Sequence, residues 1–192
     1  MDNGRRIFEI AVILAVSAFM LLRGADYYMT MGTVIGFIAL FNYGRRERPG
    51  NIGLTSRRIW PAIKAQLPFT IVAMAGLAVF ALANGYGLKM PHLGYLAYWS
   101  VSIPMQEFIF RGYGQRILRG VLPTLANVFI VSSVFSLSHY FVGIPQVGIV
   151  MLTTLIAGFA WGLAYEKERN LVGPIFSHAV LGTLLFLILA SG

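Results

Sequence analysis

The sequence predicts an all-α, polytopic transmembrane helical bundle of about seven spans with a cytoplasmic N-terminus. Three observations predict it. The 192 residues are 57% hydrophobic, with mean hydropathy +0.73. Only 11% are charged, where soluble domains carry about 25%. The basic residues also gather in alternate connections between the apolar stretches, as cytoplasmic loops do.

A span needs about 20 mostly apolar residues. On that measure, spans run near 7–22, 27–43, 66–84, 93–110, 121–142, 147–165 and 171–190. Gly143-Ile144-Pro145 breaks the fifth from the sixth, and the charged turn Glu166-Lys167-Glu168-Arg169 separates the last two. The whole of 1–192 then forms one membrane domain, with no room for a second.

The charge count sets the orientation. With the N-terminus inside, Arg5 and Arg6 are cytoplasmic, as are Arg45, Arg46, Arg48, Arg57, Arg58 and Lys64. Arg116, Arg119, Lys167 and Arg169 join them, Arg23 and Lys89 fall outside, and Arg111 lies in the bilayer. Removing a middle span would scramble this bias, which supports an odd number. Arg5-Arg6 before an apolar run also fits a cleaved signal peptide. The run is long for that and no clear cleavage site precedes Arg23, so it is read as a retained span. The net charge of +8 is read as topology and attraction to anionic lipid rather than nucleic acid.

In the long basic loop 44–65, Thr55 or Ser56 is expected to cap a short helix reaching Gln66, with Pro61 near its start. Trp60 would sit at the membrane interface. The pairs Gly32/Gly36 and Gly158/Gly162 have the small-xxx-small spacing that allows close helix packing.

Function concentrates in the ionisable groups placed within apolar spans, because charge there is expensive and usually marks a working interior. Glu107 and Arg111 are four residues apart and share a helix face. Gln106 lies beside them, able to point into the same cavity. His139 and His178 are read as the other two ionisable groups well inside spans. Ser132, Phe135, Ser136 and His139 share one face, and Gly182 follows His178 by one turn. Three helices thus bring polar anchors to what would be one site. A carboxylate and an imidazole there can take a proton from water attacking a carbonyl, and a second imidazole can meet the oxyanion. Taken singly, a Glu–Arg pair is more often interhelical glue and a lone histidine a satisfied core residue.

Other chemistries lack their residues. There is no cysteine, no His-Glu-x-x-His and no Gly-x-Ser-x-Gly, and Asp2 and Asp26 lie outside helix interiors. A transporter would be expected to show inverted repeats, and none is visible. No cofactor is expected. A metal held by Glu107, His139 and His178, a His₂Glu set, ranks below the metal-free reading.

At these residues the chain resembles the CAAX protease and bacteriocin-processing family, the Rce1-like intramembrane endopeptidases. The resemblance rests on Gln106-Glu107-Phe108-Ile109-Phe110-Arg111, Phe135-Ser136-Leu137-Ser138-His139 and His178-Ala179-Val180-Leu181-Gly182, and covers about 93–190. It implies a glutamic-type endopeptidase in which His139 activates water, His178 stabilises the oxyanion, and Glu107 with Arg111 organises the site. With an amide at 106, Glu107 is read as taking over as base beside His139, held by Arg111. Gln106 stands where the family has its first glutamate and would orient water or substrate. Gly182 stands where the family has asparagine. The implied partners are a peptide or membrane-protein substrate and the lipid bilayer, with multi-pass placement in the cell membrane for a bacterial chain. Family substrates include prenylated CAAX ends and bacteriocin or signal peptides. The alternative is a non-catalytic family member acting as scaffold, regulator or immunity factor.

Overall fold

The computed structural model describes residues 3–89, 93–142 and 146–189, and the expected break at Gly143-Ile144-Pro145 lies outside them. Among the described residues the chain is helical, without strands. The long elements are α1 (Asn3–Leu22), α2 (Tyr27–Gly44), α3 (Ile59–Ala83), α4 (Leu93–Glu107), α5 (Thr124–Ser138), α6 (Val147–Glu168) and α7 (Val172–Leu189). A π-helical segment, Phe108–Gln115, prolongs α4, and a 3₁₀ turn, His139–Val142, prolongs α5. Four helices are long and apolar enough to cross a bilayer: Ile59–Ala83, Thr124–Phe141, Val147–Glu168 and Val172–Leu189. The protein is therefore an integral membrane protein.

Local chemistry explains most boundaries. Asp26 caps α2, its carboxylate accepting from the amides of Tyr28 at 2.8 Å and Met29 at 3.3 Å. The loop before α3 differs from expectation. The loop's own short helix is a 3₁₀ turn at Pro49–Ile52, and the one expected to reach Gln66 does not stand apart, because α3 starts at Ile59 and continues through Pro68 to Ala83. Arg58, in the left-handed region, occupies the cap without a side-chain bond, while Thr55 instead accepts from the amide of Arg57. Pro61 fits the first turn, where its missing N–H is no loss, so nothing stops that turn merging with the span. Trp60 remains exposed.

The main packing pairs are α3 with α7 and α5 with α6. Glycine sets the closeness of the second pair. A Cβ on Gly162 would fall 2.7 Å from Val128 Cγ1, and one on Gly158 would fall 3.0 Å from Arg111 Nη2. The Gly158/Gly162 spacing therefore works as packing. The Gly32/Gly36 expectation fails: a Cβ at either position meets nothing within 4 Å. Gly53 is obligatory for another reason. It has φ +84°, and a Cβ there would approach Tyr165 Cε2 to 2.9 Å.

Basic residues from the connections collect at one end of the bundle. Arg58 pairs with Glu168 at 2.6 Å, and Glu166 takes both Arg119 at 3.1 Å and Arg169 at 2.6 Å. Arg116 pairs with Glu47. Burial pushes the Glu47 carboxyl up, but the Asn51 amide and the Arg116 and Arg45 guanidiniums outweigh it and hold it below its ordinary value. The histidines are also not alone as ionisable groups in apolar helices, because Glu9 of α1 is buried. Its carboxylate accepts from Arg5 at 3.2 Å, from Arg45, and from the Tyr113 hydroxyl at 2.9 Å. A buried charge survives when it is paired and hydrogen-bonded, and here Arg45 at the end of α2 supplies the pair.

Candidate active site

The three polar anchors meet on one ring. Phe135, fully buried on α5, stands edge-on to His139 at 4.8 Å and to His178 at 5.7 Å between centroids. The Arg111 guanidinium lies 4.5 Å from the same ring and 5.4 Å from Trp161. Trp161 in turn stacks on His178, with centroids 4.5 Å apart and planes 22° from parallel. The aromatic cluster fixes both imidazoles and shelters the cation by contact with π faces.

Arg111 comes from the π-helical segment. Pro104 in α4 removes one i→i−4 bond just upstream, and π turns frequently mark functional positions. Arg111 Nη1 lies 3.4 Å from Glu107 Oε1, its Nε 3.3 Å from Oε2, and its Nη2 donates to the Gly158 carbonyl at 3.2 Å. Both members of this pair are fully buried.

Glu107 Oε1 is 2.7 Å from His178 Nδ1. The carboxylate thus backs one imidazole. His139 Nδ1 is 2.8 Å from the Phe135 carbonyl. A carbonyl only accepts, so Nδ1 of His139 carries the proton and Nε2 of the neutral ring holds a free lone pair. In both histidines, Nδ1 is committed to the protein and Nε2 is the nitrogen left to engage a substrate.

His139 and His178 line a cavity of about 550 Å³. Phe69, Leu77 and Phe80 of α3 form one side, Trp99 of α4 another, and Ile156 and Leu185 continue an almost entirely apolar lining. Gly182 lines it too. A Cβ at 182 would lie 3.4 Å from His178 Cδ2 and 3.6 Å from Trp99 Cη2, which is ordinary contact.

Two expected site residues sit differently from expectation. Glu107 is not part of the cavity wall, because its carboxylate turns to His178 and Arg111. Gln106 is buried but also lies outside the wall. Its amide donates to Ser102 Oγ at 3.0 Å, one turn back on α4, and its Oε1 has no hydrogen-bond partner. Ser132 and Ser136 share the buried face with His139, but their hydroxyls are spent on the carbonyls of Val128 at 2.7 Å and Met151 at 2.6 Å.

Sequence reasoning passed over several supports. Trp161 donates its indole N–H to Ser177 Oγ at 2.8 Å, and Ser177 reaches Thr70 Oγ1 at 2.7 Å. This ties the ring over His178 to α3. Gln115 bridges the Gly162 carbonyl and Glu166, both at 2.8 Å. Among the described residues, no group of three His, Asp or Glu side chains is arranged to hold a metal ion.

The fold and site define an integral-membrane helical protein with a carboxylate-backed histidine and a second histidine on an apolar cavity. A family model described as type II CAAX prenyl endopeptidase Rce1-like matches residues 88–184. That stretch contains Glu107, Arg111, His139, Trp161, His178 and Gly182, and the chain belongs to this family. A search of curated proteins found no match, and a search of solved structures found none.

Proposed function

We propose that the protein is a seven-span intramembrane endopeptidase that hydrolyses a peptide bond presented in its apolar cavity. Its basic end, by the positive-inside rule, faces the cytoplasm. The observation that carries the reading is the 2.7 Å contact of Glu107 with His178 Nδ1 beside a cavity that His178 shares with His139. Membership in an endopeptidase family supplies the reaction class.

In this mechanism His139 Nε2 takes a proton from water as the water oxygen attacks the carbonyl carbon. Its Nδ1–H bond to the Phe135 carbonyl keeps the required tautomer. The developing oxyanion accepts a hydrogen bond from His178 Nε2. For that nitrogen to donate while Nδ1 donates to Glu107, the ring carries both protons, and the Glu107 carboxylate is the counter-ion of that state. Glu107 thus acts through His178 rather than on water directly. Arg111 holds Glu107 in place. The oxyanion then collapses, the C–N bond breaks, and His139 returns the proton to the leaving amine. The products are a new carboxyl terminus and a free amine. A general base contributes typically about 10²–10⁴-fold, and one oxyanion donor about 10²–10³-fold.

The apolar lining suits a substrate segment that arrives from the bilayer, such as a prenylated CAAX end. The test is the purified protein in liposomes with a farnesylated CAAX peptide, release of the terminal tripeptide being followed by mass spectrometry. Release that is lost in His139→Ala and His178→Ala, both still folded, is the expected result. Release surviving in both variants would overturn the mechanism.

A second reading, a non-catalytic family member, draws on Gln106 and Gly182. The first is an amide bonded to Ser102 where the family has a carboxylate, and the second lacks any side-chain donor. On that reading the cavity binds a membrane segment without cleaving it, and wild type releases nothing from any peptide it binds.

A further inference from the structure

A second cavity, of about 450 Å³, opens at the basic end of the bundle. Its lining is Arg6, Glu47, Arg116, Ile117, Arg119 and Gly120. Three guanidiniums therefore face one carboxylate. Glu47 accepts from Arg116 and lies 3.7 Å from Arg45, so it is shared between two cations. Arg119 leans on Glu166, which Arg169 and Gln115 also use. The cavity carries surplus positive charge with its acceptors already divided.

Two nitrogens there have no partner. Arg6 Nε and Arg116 Nη1 are buried without a hydrogen bond. Buried donors are almost always satisfied, so an acceptor supplied from outside the chain fits this place. Arginine forks match the geometry of phosphate oxygens. The flanks say where that phosphate comes from. Ile7 and Phe8, next to Arg6, are 57% and 62% exposed, and Leu125, just past the turn that follows Gly120, is 64% exposed. These exposed apolar side chains stand at the level of Arg6 and of the turn at Gly120 along the bundle, so the cationic cleft opens where acyl chains begin and a headgroup would meet the arginines. Basic clefts between transmembrane helices bind lipid headgroups in this way.

We propose that the cleft formed by Arg6, Arg116 and Arg119 is a binding site for the phosphate of an anionic phospholipid. Gly120 is part of its construction. A side chain at 120 would occupy the place of the Arg6 guanidinium, so the missing Cβ lets Arg6 fold over the turn and into the cleft.

The experiment is thermal unfolding of the full chain in a neutral detergent, titrated with phosphatidylglycerol. Wild type shows a saturable rise in midpoint that phosphatidylcholine does not produce. Arg6→Gln weakens the apparent affinity roughly five-fold, the scale for one basic residue at a lipid surface. Gly120→Leu also weakens it, although every charge remains. Both positions lie at partly or fully exposed sites, so the variants fold. No midpoint rise in wild type, or equal rises in wild type and both variants, would overturn the site. An equal rise with inorganic phosphate alone would overturn the lipid as its source.

Discussion

Replacing Glu107 by glutamine tests the core of the mechanism with almost no change in shape. Glu107 Oε1 is 2.7 Å from His178 Nδ1, and Arg111 lies 3.3 and 3.4 Å from the two oxygens. The amide still accepts from His178, but the bond is no longer charge-assisted. With its oxygen on His178, the amide turns its NH₂ toward Arg111 Nε, donor against donor. Breaking a buried ion pair costs about 3–5 kcal/mol. Arg111 keeps its carbonyl partner Gly158 and two aromatic faces, and cation–π contact offsets about 1–2 kcal/mol. The net expectation is a stability loss of roughly 1–4 kcal/mol. The rate should fall by about 10²–10³, because His178 loses the counter-ion of its donating state. The assay is peptide release in liposomes, with thermal unfolding beside it. Adding His178→Ala to Glu107→Gln should cost little more than His178→Ala alone, since residues that act as a unit are non-additive. A Glu107→Gln enzyme at wild-type rate would refute the argument, as would rate losses that simply multiply.

Three further outcomes follow from the geometry. Gly158→Ala puts a Cβ 3.0 Å from Arg111 Nη2 and 3.2 Å from Phe135; unfolding curves should show a loss of about 1–3 kcal/mol, as for other overpacked sites, with reduced peptide release. Gly182→Asn fits the cavity wall, since Cβ contacts at 182 are ordinary; combined with Gln106→Glu it should raise the rate of peptide release, and no gain would mean that Gln106 belongs to a working variant site where wild type cleaves, or that the scaffold no longer admits substrate where it does not. The lowered Glu47 carboxyl contributes stability above its unfolded-state value, lost as pH falls through its folded-state value. The midpoint gap between wild type and Glu47→Gln should therefore close in acid, and a gap constant with pH would contradict the pairing.

The helices were legible because bilayer thickness imposes a long apolar signal. The expected spans 27–43 and 147–165 meet helices at Tyr27–Gly44 and Val147–Glu168. The convergence of Glu107, His139 and His178 was legible for a related reason, since each stands out as an ionisable group in an apolar stretch of sequence. What periodicity cannot supply is depth and direction. It placed Gln106 and Glu107 on the cavity side of α4, but not the turn of Glu107 away from the cavity toward His178. The π-helical segment is also silent in the sequence, because its apolar spacing is that of an ordinary helix. Trp161 reads as one more apolar residue in α6 until its indole is seen on His178. Glu9 was missed because it lies near the start of an apolar run, and its partner Arg45 is 36 residues away. Gly32 and Gly36 carried a packing signature, yet a Cβ at either meets nothing within 4 Å, which shows that small-residue spacing permits contact without requiring it.

The most direct test of the central claim is a survey of membrane-protein termini in cells carrying wild type or His139→Ala at matched levels. The account predicts new carboxyl and amino termini that appear only with wild type and vanish again in His178→Ala. Identical termini in all three, with the proteins equally folded, would contradict proteolysis and leave the cavity as a binding site.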